Sequence, residues 1–166
     1  MSKQIKGAID VSRYIINKCH DELLSISNLK LQKLLYFAQG YSLAIIGKPL
    51  FYEEIEAWDF GPVVPVSYRE FKMYGANEIP KIESYYNMDF DSEYFLEEIS
   101  FNEDMFTEAE KLIMDAVVNQ FGLLTANDLV AITHNQLPWK TSYRTSKIIS
   151  KQKIETFFNQ YITENS

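Results

Sequence analysis

The stretch from Ser27 to Gly47 constrains the fold most, because its apolar residues cover nearly the whole circumference of a helix. An ordinary surface helix has one apolar stripe, whereas a helix that is apolar on most sides is covered by neighbours. Ser27 is a typical N-cap, and Gly47 with Pro49 behind it ends a helix. The sequence therefore predicts a buried central helix. Its lysines and glutamines leave it too polar to span about 30 Å of hydrocarbon.

The length of 166 residues suits one hydrophobic core, so we predict a single domain over residues 1–166. Cys19 is the only cysteine, which excludes an internal disulfide and is typical of a reducing compartment. It belongs to the apolar set of the first predicted helix, where a small buried side chain is expected rather than a reactive thiol. The first residues lack the apolar core of a signal peptide. These features predict a cytoplasmic protein.

Charge is unevenly distributed along the chain, which has a formal net charge of -7. Residues 82–110 contain ten acidic side chains and no lysine or arginine, whereas residues 139–154 contain five bases and no acid. Solvated faces that keep the protein in solution explain this pattern, and so does the steering of an oppositely charged partner. The sequence leaves both interpretations open.

Apolar spacing, caps and breakers predict a mainly α-helical domain around the central helix, with a small β element. Further helices are predicted over residues 8–24, 65–74, 107–121, 126–133 and 150–162, with Pro138 and Trp139 ending the fourth of these runs. Residues 49–60 predict one short strand or half of a hairpin, and Gly61 then turns the chain. We interpret residues 76–106 as a variable acidic excursion held by aromatic anchors, with a strand near Lys81–Tyr85 and a helical turn near Ser92–Glu98.

Catalytic motifs are missing from the sequence, which contains no G-x-S-x-G, phosphate-binding loop, H-E-x-x-H or C-x-x-C pattern. With two histidines and one cysteine, a nitrogen and sulfur metal site is hard to assemble. His134 fits a hydrogen-bonded structural role or that of a catalytic base, and no nucleophile accompanies it nearby. We therefore expect no enzymatic activity, no cofactor and no metal. An enzyme of unknown substrate stays an alternative.

The two helices predicted between residues 107 and 134 are joined by Gly122, which is the layout of a helix-turn-helix. The basic residues after Trp139 offer contacts to phosphates. However, the second helix has no lysine or arginine with which to read bases, and the acidic stretch precedes the first. Nucleic acid is therefore disfavoured as a partner. A prophage transcription regulator with a degenerate helix-turn-helix stays the alternative.

Three motifs occur in order along the chain, LKLQKLLYFAQGYSLAIIGKPLF, EAWDFGPVVPVSYREF and THNQLPW. Together they resemble the Panacea domain, also called SocA-like, of bacterial and phage-associated antitoxins. The resemblance covers most of the chain and is expected to be weakest over residues 76–106. It implies a helical protein that neutralises a toxin encoded nearby through direct binding, as in a type II toxin-antitoxin system. Some relatives carry an added DNA-binding domain, for which this sequence has no room.

The resemblance also marks individual residues for a family motif or partner surface. Trp58, Tyr68 and Trp139 are better candidates for contact with the toxin than the motif leucines, because large aromatics dominate interface energetics, but core packing is the favoured role for each. Phe60 stands where tyrosine is commoner in the family, and it therefore lacks a hydroxyl group. The matching positions are Lys30, Tyr36, Trp58, Asp59, Phe60, Gly61, Pro62, Tyr68, His134 and Trp139.

The partner implied by the resemblance is a cognate toxin, with no membrane involved and a homodimer left open. If the acidic excursion contacts the toxin, its carboxylates would meet a basic surface, and binding would weaken as salt rises.

Overall fold

The computed structural model describes residues 5–88 and 96–165. The helices in these ranges are α1 (Ala8–Asp21), α2 (Asn28–Tyr41), α3 (Pro65–Glu70), α4 (Glu108–Phe121), α5 (Ala126–His134), α6 (Leu137–Lys140) and α7 (Lys151–Glu164). The strands are β1 (Ile55–Trp58), β2 (Gly61–Val63), β3 (Ser84–Met88), β4 (Leu96–Ser100) and β5 (Ile148–Ile149). An antiparallel sheet has the order β2-β1-β5, and β3 pairs with β4 in a separate hairpin. The fold is mainly α, as predicted.

Helix α2 is the buried central helix that the sequence predicts. Every residue from Lys30 to Tyr41 is buried, and α1, α4, α5 and α7 pack around the helix. The Ser27 hydroxyl accepts a hydrogen bond from the backbone N–H of Lys30 and caps the helix as expected. Beyond Tyr41 the helix continues as a π-helical turn, which was not predicted. This turn ends at Gly47, which has a φ of 80°.

The polar side chains of α2 connect it to the surrounding loops. Gln39 accepts a hydrogen bond from the backbone N–H of Leu50 at 2.7 Å and donates to the carbonyl of Phe51 at 2.9 Å. The Tyr36 hydroxyl donates to the Gln136 amide oxygen at 2.8 Å. Because buried polar groups are costly unless they are bonded, these residues fix the paths of the loops as well as that of the helix.

The C-terminal half follows the predicted caps. Thr107 and Thr125 each form a capping box, at the start of α4 and α5 respectively, and Ser150 caps α7. The prediction that Pro138 and Trp139 end the preceding helical run is wrong. Pro138 lies in the first turn of the short helix α6, where its missing N–H is not needed. Strand β5 was not predicted, since two residues carry no periodic signal.

The acidic excursion contains the β3–β4 hairpin. The predicted strand near residue 81 begins three residues later, at Ser84. The helical turn predicted near Ser92–Glu98 is wrong for Leu96 to Glu98, which belong to β4 because they pair with β3, and the rest of that prediction lies outside the described residues. The Asn17 side chain bonds both the N–H and the carbonyl of Ile82 at 2.8 Å. These two hydrogen bonds connect α1 to the segment that leads into the hairpin.

None of the helices in the described ranges combines the length and the apolar character that crossing a bilayer requires.

Candidate functional site

The turn between β1 and β2 is held by side chains from distant parts of the chain. Trp58 pairs with Gly61, so Asp59 and Phe60 form a two-residue connection, which we call the Phe60 turn. Gly61 has a φ of 104°, a conformation that glycine adopts readily and other residues rarely. The Phe60 side chain is 67% exposed at the tip.

Side chains from the C-terminal half hold the Phe60 turn on one side. His134 Nε2 donates to the Asp59 carbonyl at 3.0 Å, and Trp139 Nε1 donates to the Trp58 carbonyl at 2.8 Å. The Tyr143 hydroxyl donates to the Asp59 carboxylate, a hydrogen bond that raises the pKa of Tyr143. The rings of His134, Trp139 and Tyr143 stack in succession, with centroid separations of 4.0 Å and 4.5 Å. This three-ring stack fixes the directions in which His134, Trp139 and Tyr143 donate their hydrogen bonds.

The central helix holds the turn from beneath. Lys33 Nζ donates to the Pro62 carbonyl at 3.0 Å, and Gln32 accepts from the backbone N–H of Val64 at 2.9 Å. Lys33 is fully buried, and burial lowers its pKa to about 7. A Cβ atom on Gly61 would lie 2.7 Å from Lys33 Cε, so the backbone of the turn lies directly against the lysine side chain.

Beside Phe60 lies a cavity of about 280 Å³, which Trp58, Tyr68 and Lys72 also line. The Trp58 and Tyr68 rings are in edge contact at 5.1 Å, and both are half-buried. Met73, nearby in the chain, is 80% exposed. The Phe60 turn therefore presents an exposed aromatic ring next to a partly apolar hollow, a combination typical of protein-binding surfaces.

Residues 31–140, which are 110 of the 166 residues, match the family described as antitoxin SocA-like, Panacea domain. The chain belongs to this family. It is also similar to a protein of Caulobacter vibrioides (strain NA1000 / CB15N) named Antitoxin SocA, with 48% identity over 69 residues. That similarity covers 42% of this chain and 37% of the relative, so the matched region is well under half of the relative's length. No solved structure matches the chain.

Residues from the three sequence motifs meet at the Phe60 turn. Lys33 comes from the first motif, the turn itself is the second, and His134 and Trp139 come from the third. Lys30 and Tyr36 are buried elsewhere in α2, and Lys30 Nζ donates to the carbonyls of Ser25 and Gly122. These two motif residues therefore do not line the exposed surface.

Sequence reasoning missed Lys33, Gln32 and Tyr143 as parts of this arrangement. A lysine and a glutamine inside an otherwise apolar, fully covered helix are the signal that could have found the first two, because such groups need buried partners. Tyr143 carries no comparable signal, since it lies in a polar stretch outside the motifs.

Replacing Gly61 by valine is expected to lower the thermal midpoint by several degrees, through about 1 to 3 kcal/mol of backbone strain and contact with Lys33. Gly75→Val is the control, because Gly75 also has a positive φ but a Cβ there would meet nothing within 4 Å. Thermal unfolding followed by circular dichroism measures both. Equal losses in the two variants would mean that contact with Lys33 adds nothing to the cost.

Proposed function

We propose that this chain is the antitoxin of a type II toxin-antitoxin system, and that it neutralises a cognate toxin encoded nearby by direct binding and without enzymatic activity. Membership of the SocA-like Panacea family supports the antitoxin role. The observation that carries the binding mode is the Phe60 turn, in which residues of all three motifs hold the backbone while the Phe60 ring stays 67% exposed.

A rigid turn lowers the cost of binding, because little conformational entropy is lost when the partner docks. Burying an exposed phenylalanine ring is worth roughly 1.5 to 3 kcal/mol, enough to make it an interface anchor. The fold does not need this exposed ring for its own core. The hydrogen bonds from His134, Trp139 and Lys33 therefore act as positioning contacts, and Phe60 acts as the toxin-contacting group.

Protein is a better partner for this chain than nucleic acid. Helix α5, the second helix of the helix-turn-helix layout, exposes Asn127, Asp128 and Ala131. It contains no lysine or arginine with which to contact phosphates or guanines. This composition supports an interface with a toxin protein.

The test is expression of the adjacent gene with and without this chain, followed by co-purification and a measurement of complex affinity. Three alanine variants remove apolar side chains of nearly equal exposure: Phe60 (67%), Tyr86 on the hairpin (67%) and Leu112 on α4 (68%). We expect wild-type protein to relieve growth arrest and Phe60→Ala to weaken the complex by about tenfold or more. Tyr86→Ala and Leu112→Ala should each change affinity by less than about twofold.

Other outcomes separate the alternatives. Loss of affinity in Tyr86→Ala but not in Phe60→Ala would place the contacts on the acidic hairpin, and affinity should then fall steeply with salt. Relief of arrest without a complex would contradict direct neutralisation.

A further inference from the structure

A groove runs between α6 and α7, away from the Phe60 turn. Its volume is about 450 Å³, and it is lined by Leu137 of α6 and by Thr141, the residue after that helix. The Trp139 side chain points instead to the Phe60 turn. Leu137 is 63% exposed. The α7 side contributes Lys153 and Phe157, which follow one another at helical spacing. The groove therefore has an apolar floor that the rest of the described chain does not cover.

The described residues that line the groove include one cation, Lys153, and no carboxylate. Lys153 Nζ donates to the Ser142 hydroxyl at 3.2 Å and to the Thr141 carbonyl at 3.5 Å. In the part of the chain that the structure describes, no carboxylate forms an ion pair with Lys153 or with Lys140, an exposed residue next to Thr141 in the chain. Glu155 is about 200° around α7 from Lys153, on the opposite side. Lys153 therefore gives the groove a positive charge that no described carboxylate neutralises.

This placement of charge works against the stability of α7. Acids near a helix N-terminus and bases near its C-terminus are favourable, whereas α7 has lysines and no acid in its first turn, and no base in its last. Lys151 is partly neutralised by Glu54 at 3.2 Å, but Lys153 is not paired in this way. The position of Lys153 is therefore unfavourable for α7 itself, and Thr141 and Ser142, rather than a carboxylate, hold its ammonium group at the groove.

We propose that the α6–α7 groove binds an acidic, amphipathic peptide segment of a partner protein. In this arrangement a carboxylate of the partner meets Lys153 and Lys140, and apolar side chains of the partner pack on Leu137 and Phe157. The positive charge of Lys153 calls for a negatively charged partner, and the exposed Leu137 calls for apolar side chains on the partner face that packs against it. The site goes beyond the proposed toxin contact, because it uses neither Phe60 nor the residues that hold the turn.

The test is selection of random twelve-residue peptides displayed on phage against the full chain, with Lys153→Glu protein as the counter-selection. Enriched peptides should contain aspartate or glutamate next to apolar residues. Their affinity for Lys153→Glu should fall by about tenfold or more, and for Leu137→Ser by about fivefold, whereas Lys48→Glu, with the same change in net charge at an exposed position elsewhere, should change it by less than about twofold. Lys153→Glu loses the contacts with Ser142 and Thr141 but places an acid at the N-terminus of α7, which offsets part of that loss, and its thermal midpoint shows whether the variant is folded.

Enrichment of no peptide, or of peptides without acidic residues, would overturn the proposal. Equal loss in Lys153→Glu and Lys48→Glu would also overturn it, since binding would then follow net charge rather than this groove. Because the readout is peptide affinity, neither result depends on whether the chain neutralises a toxin.

Discussion

Replacing Gly40 by alanine is expected to lower the thermal midpoint by on the order of 10 °C, from a net loss of about 3 kcal/mol. A Cβ at this position would lie 2.2 to 2.5 Å from three ring atoms of Phe158. Phe158 is fully buried and in edge contact with Tyr36, Phe37 and Tyr41, so its ring has no space into which to move. Alanine gains about 1 kcal/mol of helix propensity over glycine, which offsets part of the loss.

A double-mutant cycle separates this contact from general effects of the substitution. Phe158→Leu alone should destabilise the protein by leaving a cavity, and it should also make room for a methyl group at Gly40. The double variant Gly40→Ala/Phe158→Leu is therefore expected to lose less stability than the sum of the single variants, by more than about 1 kcal/mol. Chemical denaturation gives all four free energies of unfolding. A Gly40→Ala protein as stable as wild type would mean that α7 does not pack against α2 at this point.

Local signals in the sequence predict the ends of the elements well. Ser27, Thr107 and Thr125 cap helices as expected, and Gly47 and Gly61 adopt the positive φ that their turns require. Each of these signals depends on a few adjacent residues whose hydrogen-bonding groups satisfy one another. The burial of α2 was predictable for a related reason, since a helix that is apolar on most sides needs neighbours on most sides.

Contacts between distant residues could not be predicted in the same way. Strand β5 exists because Ile149 pairs with Ile55, and the hairpin in the acidic excursion exists because Ser84 pairs with Ser100. Nothing in either short segment specifies its partner. The resemblance to the Panacea domain named most of the residues around the Phe60 turn, but only the structure shows that they meet and that Lys33 lies beneath them.

The contribution of Lys33 to the free energy of unfolding is expected to increase as pH rises from about 7 towards 10. Burial lowers the pKa of Lys33 to about 7, whereas a lysine in the unfolded chain has a pKa near 10.4. Below pH 7 both states carry the proton, and the folded protein bears the full cost of a buried ammonium group whose hydrogen-bond acceptor is the Pro62 carbonyl. Between the two values the folded lysine is neutral, so stability rises by up to about 1.4 kcal/mol per pH unit.

Lys33→Met isolates this contribution, because methionine is similar in length and has no proton to lose. The free energy of unfolding of wild type minus that of Lys33→Met should increase by about 2 kcal/mol between pH 7.5 and 9 in urea titrations. Cys19 and the buried tyrosines also titrate abnormally, but they are present in both proteins and cancel in this difference. Lys48→Met, at an exposed position, should show no such pH dependence. Parallel curves for wild type and Lys33→Met would mean that Lys33 keeps its proton in the folded protein, and that the Phe60 turn is held by a buried charge rather than by a neutral amine.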